Sequence, residues 1–148
     1  MSLMLMDEVD EVLERKLVDA ACKARQSAYA PYSKFKVGAA ILSNSGKIYT
    51  GCNVENSSFG GTCCAERVAL YNGVSQGERS FLAIAVVIGG EGFASPCGIC
   101  RQVLAEFGAD MRVLMGNTSG EYNVKSLDLL LPHAFLLNEK YINEQENC

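Results

Sequence analysis

The sequence has no tryptophan, one histidine and three prolines among its 148 residues. It lacks any stretch of about 18 apolar residues, so no transmembrane helix and no membrane partner are expected. It also lacks any run of three consecutive lysines or arginines, and its formal net charge is −4. A surface of that balance repels phosphate backbones unless it carries a local basic stripe. Nucleic acid is therefore not the expected partner, and a small, uncharged molecule is. The opening "MSLMLMDEVD" is apolar at first, but no basic region precedes it and acidic residues follow at once, so it does not read as a signal peptide. No repeat, linker or low-complexity stretch interrupts the chain, and its length suits a single domain over residues 1–148. With His133 the only histidine, any metal centre must be built mostly from thiolates.

Cysteine, by contrast, is plentiful. The seven are Cys22, Cys52, Cys63, Cys64, Cys97, Cys100 and Cys148. Without an export signal the expected compartment is the reducing cytoplasm. There, clustered cysteines more often bind metal or do chemistry than form disulfides. Cys22, Cys52 and Cys148 read as helix, strand and tail residues without catalytic duty. Hydrophobic residues make up 49% and charged residues 20%, as in an ordinary globular protein.

Apolar residues recur at helical spacing from Val9 to Ala24, predicting a helix over 7–28 that Pro31 breaks. "FKVGAAIL" (35–42) and "KIYTGCNV" (47–54) read as strands joined at "SNSG", a hairpin signal. "CCAERVALYNGVSQG" (63–77) reads as a helix with Thr62 as N-cap. "FLAIAVVIGG" (81–90) suits a central strand covered on both faces. Ser95 followed by Pro96 looks like an N-cap and first helical residue, opening a helix over 97–108. "MRVLMG" (111–116) is a fourth strand, residues 122–124 a short fifth, and "SLDLLLPHAF" a short helical piece and tail. The order predicts an α/β protein with helices on both sides of a mixed five-stranded sheet.

Two stretches carry the chemistry: "CAER" (64–67) and "PCGICRQ" (96–102), each opening a helix after a loop. Cysteines in a first helical turn favour the thiolate, because unpaired N–H groups and the helix dipole stabilise negative charge. Cys97 and Cys100 are spaced to clamp one ion, and Cys64 can complete the set from the other helix. Three protein ligands leave the fourth tetrahedral position open, as catalytic zinc sites do and structural sites do not. Glu66, two residues past Cys64, is near enough to move protons there without being a ligand.

Two blander readings compete. The CxxC could be a redox pair, although a proline precedes its first cysteine and tryptophan is missing, unlike the usual thioredoxin-like motif. It could be part of a structural zinc module, with Cys63 or His133 as fourth ligand. Adjacent cysteines on one helix point apart, which argues against Cys63.

"CAER…PCGICRQ", with "NVEN" upstream, resembles the small, single-domain cytidine deaminases over residues 29–135. The resemblance implies a three-layer α-β-α cytidine deaminase-like fold. It implies one Zn²⁺ per subunit on Cys64, Cys97 and Cys100, with Glu66 as proton shuttle. The implied reaction is hydrolytic deamination of cytidine and deoxycytidine to uridine and deoxyuridine plus ammonia, a pyrimidine-salvage activity. Asn53 and Glu55 would hold the ribose hydroxyls, and Phe35 would pack on the pyrimidine. Arg67 would hydrogen-bond the thiolates, offsetting the net −1 of three thiolates on one Zn²⁺. The family forms homotetramers with shared active sites, and Phe59 and Phe135 would reach a neighbour's pocket. His133 departs from the glycine that the family often carries in this part of its tail. Read without the resemblance, Glu66 is a solvated helix residue, Arg67 an ordinary surface partner, Asn53 and Glu55 loop residues, and the phenylalanines core. Blasticidin-type deaminases share "CAE" and "PCGxCRQ", but the ribose motif "NVEN" favours a cytidine substrate.

Overall fold

The computed structural model describes residues 3–137 and Ile142, so Cys148 lies outside the described residues. After a 3-10 turn at Met6–Glu8, α1 spans Glu11–Arg25. Asp10 caps it, its carboxylate accepting the Leu13 N–H at 2.9 Å. Glu11 and Glu14 in the first turn and Lys23 and Arg25 in the last complement the helix dipole. The helix is shorter at both ends than its apolar spacing predicts. Asp10 occupies the cap, and Tyr29 is already extended and bridged to Val54, so the chain leaves the helix before Pro31 can end it.

The strands β1 (Val37–Ser43) and β2 (Ile48–Cys52) form the expected antiparallel hairpin. Its turn carries Gly46 at φ 86°, a conformation that glycine adopts without a Cβ penalty. The remaining elements are α2 (Ala65–Ser75), β3 (Phe81–Ile88), α3 (Gly98–Ala105), β4 (Arg112–Asn117), β5 (Tyr122–Ser126) and the short α4 (Leu127–Leu130). The sheet order is β2-β1-β3-β4-β5. Only the β3–β4 pair is parallel, and α3 makes the crossover between them.

Alternation along the strands divides the core into two layers. Ala40, Leu42, Ala85, Val87 and Leu114 pack with Leu17, Val18 and Ala21 of α1. On the opposite face Ala39, Ile41, Ile84, Val86, Val113 and Met115 pack with Ala65, Ala69 and Leu70 of α2 and with Leu104 and Ala105 of α3. Central strand β3 is buried at every position, which is why its sequence is continuously apolar. The result is the expected three-layer α-β-α arrangement around a mixed five-stranded sheet. Helix α2 sits directly on the backbone of β2: a Cβ added at Gly51 would lie 2.4 Å from the Ala69 nitrogen and 2.8 Å from the Ala65 carbonyl oxygen. That contact and the shared core bring the N-termini of α2 and α3 together on one side of the sheet.

Candidate active site

Both helices start later than their polar residues suggest. The N-cap of α2 is Cys64, not Thr62. Cys63 explains this: it exchanges backbone hydrogen bonds with Val54 at 2.9 Å in both directions, and an extended residue cannot join the helix. The N-cap of α3 is Cys97, not Ser95, whose hydroxyl instead accepts from Arg101 Nη2 at 2.9 Å. Pro96 therefore precedes the cap rather than opening the helix. Cys64 and Cys97 are thus cap residues with extended backbone, while Cys100 lies in the first turn of α3. Cap and third helical positions have side chains that lean toward one another, the geometry of a capping box. This brings Cys97 and Cys100 together.

The Sγ atoms of Cys64, Cys97 and Cys100 all lie within 4.8 Å of one another. Cys64 and Cys97 are 3.9 Å apart. Four ligands at about 2.3 Å around a tetrahedral zinc would place sulfurs about 3.8 Å apart. Donor softness and spacing therefore both fit zinc. Among the described residues, these three form the one group of His, Cys, Asp or Glu atoms gathered closely enough to hold an ion. Cys63 and His133 are not part of it, which leaves a three-ligand set rather than a closed four-ligand structural one.

The electrostatics favour thiolate at Cys64, while the bond to Cys64 and then burial push the Cys100 thiol upward. Cys64 is pulled down to about 5, first by a hydrogen bond from the Cys100 thiol and then by Arg67 and Cys97. Arg67 donates from Nη2 to Cys64 Sγ at 3.6 Å. Burial pushes the neighbouring Cys63 thiol upward instead. Glu66 is only 5% exposed, and its Oε2 accepts from Cys100 Sγ at 3.5 Å. Burial raises its affinity for a proton above that of an ordinary carboxylate. A buried carboxyl group with a raised proton affinity, placed beside three thiols, is chemically suited to take up and pass on a proton in the cleft.

Cys64, Glu66 and Cys97 line a cleft of about 280 Å³, just below the roughly 300–1,000 Å³ typical of small-molecule sites. Its walls also include Phe35, Asn53 and Glu55. Asn53 and Glu55, each 8% exposed, also order the loop that carries Phe35. The Asn53 side chain accepts from the Val37 N–H at 2.9 Å and donates to the Phe35 carbonyl at 2.8 Å. Glu55 accepts the Tyr32 and Ser33 N–H groups at 2.9 and 3.1 Å and the Ser33 hydroxyl at 2.5 Å. That hydroxyl bond, the largest influence, holds the Glu55 carboxyl below the usual range. Phe59 and Phe135 do not line this cleft. They are 74% and 67% exposed, and Phe59 packs edge-on against Tyr32 with ring centroids 5.6 Å apart. Ser33, Thr62 and Ser95 also line the cleft, although the sequence reading gives Thr62 and Ser95 only a capping role and Ser33 none.

Residues 12–117 match the family described as the cytidine and deoxycytidylate deaminase zinc-binding region. A cytidine deaminase of Sporosarcina psychrophila is 53% identical over 121 residues, covering 81% of this chain and 89% of that protein. One of Halalkalibacterium halodurans is 48% identical over 120 residues, covering 80% and 91%. The crystal structure of cytidine deaminase from Burkholderia pseudomallei superposes with a TM-score of 0.77 at 50% identity, covering 81% of this chain and 97% of that one. That from Mycobacterium tuberculosis gives 0.72 at 43% identity, covering 84% and 98%. The paired helix starts with their three thiols are therefore the zinc-binding region of a deaminase, and this chain belongs to the cytidine and deoxycytidylate deaminase family.

Proposed function

We propose that the chain catalyses hydrolytic deamination of cytidine and deoxycytidine, giving uridine or deoxyuridine and ammonia. Cys64, Cys97 and Cys100 hold zinc in this reading, and Glu66 carries the protons. The observation that bears most weight is the buried Glu66 carboxylate, 3.5 Å from Cys100 Sγ and in the wall of the cleft that Cys64 and Cys97 also line. When bound there, zinc would supply a Lewis acid able to lower the pKa of water to about 7.

The chain's own residues account for the rest. Glu66 takes the proton from the water that adds to ring carbon C4 and delivers it to N3. It then assists departure of the C4 amino group as ammonia, so atoms and charges balance with one water consumed. Phe35 faces the ring, and Asn53 and Glu55 face the sugar hydroxyls. Proximity of these groups within one cleft supports those roles. Arg67 offsets the negative charge of the thiolates, supported by its contact with Cys64. The exposure of Phe59 and Phe135 supports a homotetramer in which each reaches a neighbouring subunit's cleft. No helix among the described residues is long and apolar enough to cross a membrane. The need for reduced thiols supports a cytoplasmic location.

Loss of cytidine ultraviolet absorbance, followed for the wild type and Glu66→Gln, tests the reading. Zinc-loaded wild type should convert cytidine to uridine. The variant should keep its zinc and lose activity by about 10²–10⁴-fold, the usual share of general acid–base catalysis. Zinc-loaded wild type that leaves cytidine untouched would overturn the assignment.

A further inference from the structure

Arg101 follows Cys100 directly, yet it touches none of the three thiols. Its guanidinium spreads over three separate points. Nε donates to the Pro96 carbonyl at 2.7 Å, Nη1 to the Leu130 carbonyl at 2.8 Å, and Nη2 to the Ser95 hydroxyl at 2.9 Å. Two of those acceptors belong to the residues immediately before Cys97. Ser95 and Cys97 both line the cleft.

The Cys97 thiol needs such bracing. Cys97 is a cap residue, more exposed than Cys64 or Cys100, and no side-chain hydrogen bond anchors it to the helix start. Cys100 is fixed by helix and core. The Cys97 carbonyl accepts the first bond of α3, from the Arg101 N–H at 3.0 Å, but the position of Cys97 also depends on the loop that enters the helix, which carries none of the regular hydrogen bonds of helix or strand. A planar guanidinium with its donors in a fixed fork can hold two points of that loop to the helix at once.

We infer that Arg101 is a positioning residue for the metal centre: by clamping Ser95 and Pro96 to α3 it holds Cys97 at its spacing from Cys64 and Cys100. The inference rests on Cys97 being a zinc ligand. The third arm, to Leu130, ties α4 to the same point. Gln102 anchors the tail separately, its Nε2 donating to the Phe135 carbonyl at 2.6 Å. Arg101 thus bonds both the loop and α4, whereas Gln102 bonds only the tail, so a Gln102 variant reports tail anchoring alone.

The test is the rate at which zinc-loaded protein releases its metal to a chromogenic chelator, with circular dichroism confirming the fold. Lysine offers one compact charge in place of the fork. Arg101→Lys should release zinc about 10–100-fold faster than wild type, the range for lost outer contacts to metal ligands. Gln102→Ala should release it at the wild-type rate. Wild-type release from Arg101→Lys overturns the inference. So does equal acceleration in Gln102→Ala, since tail docking alone would then explain it. If Arg101→Lys does not fold, Ser95→Ala decides: release about three- to tenfold faster, the loss of one hydrogen bond, upholds the brace, and the wild-type rate overturns it. Wild type that never takes up zinc overturns both this inference and the functional reading beneath it, whereas a zinc-loaded wild type with unaffected variants overturns only this one.

Discussion

Arg67 Nη2 donates to Cys64 Sγ at 3.6 Å, joining the third residue of α2 to its own N-cap. Between them stands Glu66, whose carboxylate turns toward Cys100 of the other helix. A single helical turn thus presents a sulfur, a carboxylate and a guanidinium to one point. The three thiolates would give a Zn²⁺ centre net negative charge, which weakens its pull on water. The guanidinium counters part of that charge.

Arg67→Gln should therefore retain zinc while kcat for cytidine falls about 10–100-fold, with a smaller change in KM. Steady-state kinetics beside zinc stoichiometry make the check. Unchanged kcat would reduce Arg67 to an ordinary helix residue.

Gly51 sets the distance between β2 and α2. Since a Cβ there would fall 2.4 Å from the Ala69 nitrogen and 2.8 Å from the Ala65 carbonyl oxygen, backbone rather than a flexible side chain must give way. Gly51→Ala should destabilise the fold by about 1–3 kcal/mol or more, the range for overpacking. Displacing α2 also shifts Cys64 and Glu66, so activity should fall in protein that remains folded. A denaturant midpoint equal to the wild type's would show that the two layers can part without cost.

How much of this was legible in the sequence depended on whether the signal was local. Strand β3 announced itself through a continuous apolar run, and the metal-binding stretches through the spacing of their thiols. Helix starts were less legible, because the polar residues at Thr62 and Ser95 fit a cap as well as Cys64 and Cys97 do. What decided the matter was distant pairing: Cys63 with Val54, and Ser95 with Arg101. The same holds for Glu55 and Asn53. The family resemblance implied a place for them in the site, but their bonds to the loop at 32–37 depend on a fold that brings β2's end beside that loop.

Glu78 gives a pH test away from the cleft. It accepts hydroxyls from Ser45 at 2.6 Å and Tyr49 at 2.9 Å, tying the β1–β2 hairpin to the segment after α2. The Ser45 bond, followed by that of Tyr49, holds its carboxyl below the ordinary range. With the folded value lowered, its stabilisation is complete above the unfolded carboxylate value of about 4.3. It is lost as pH falls through the lowered folded value. Urea midpoints of wild type and Glu78→Gln should therefore differ by a constant amount from pH 7 to about pH 5 and converge in more acidic solution. A gap that widens on acidification would contradict the assignment.

Substrate charge follows from the cleft's lining. Its walls carry the carboxylates of Glu55 and Glu66, and among the described residues none that lines it is lysine or arginine. A 5′-phosphate would bring about two more negative charges toward Glu55, with no cation in the lining to receive them, and at short range unpaired like charges are costly. The family description spans both nucleoside and nucleotide deaminases, so charge is the property on which this chain must choose. Cytidine should be deaminated with a kcat/KM well above that of cytidine 5′-monophosphate, and low salt should widen the difference because repulsion is less screened. Glu55→Gln should narrow it by removing the nearer charge, even as it weakens cytidine binding. Equal turnover of the two substrates by the wild type, unaffected by salt, would mean that the phosphate never approaches Glu55 and that the sugar lies in the cleft the other way round.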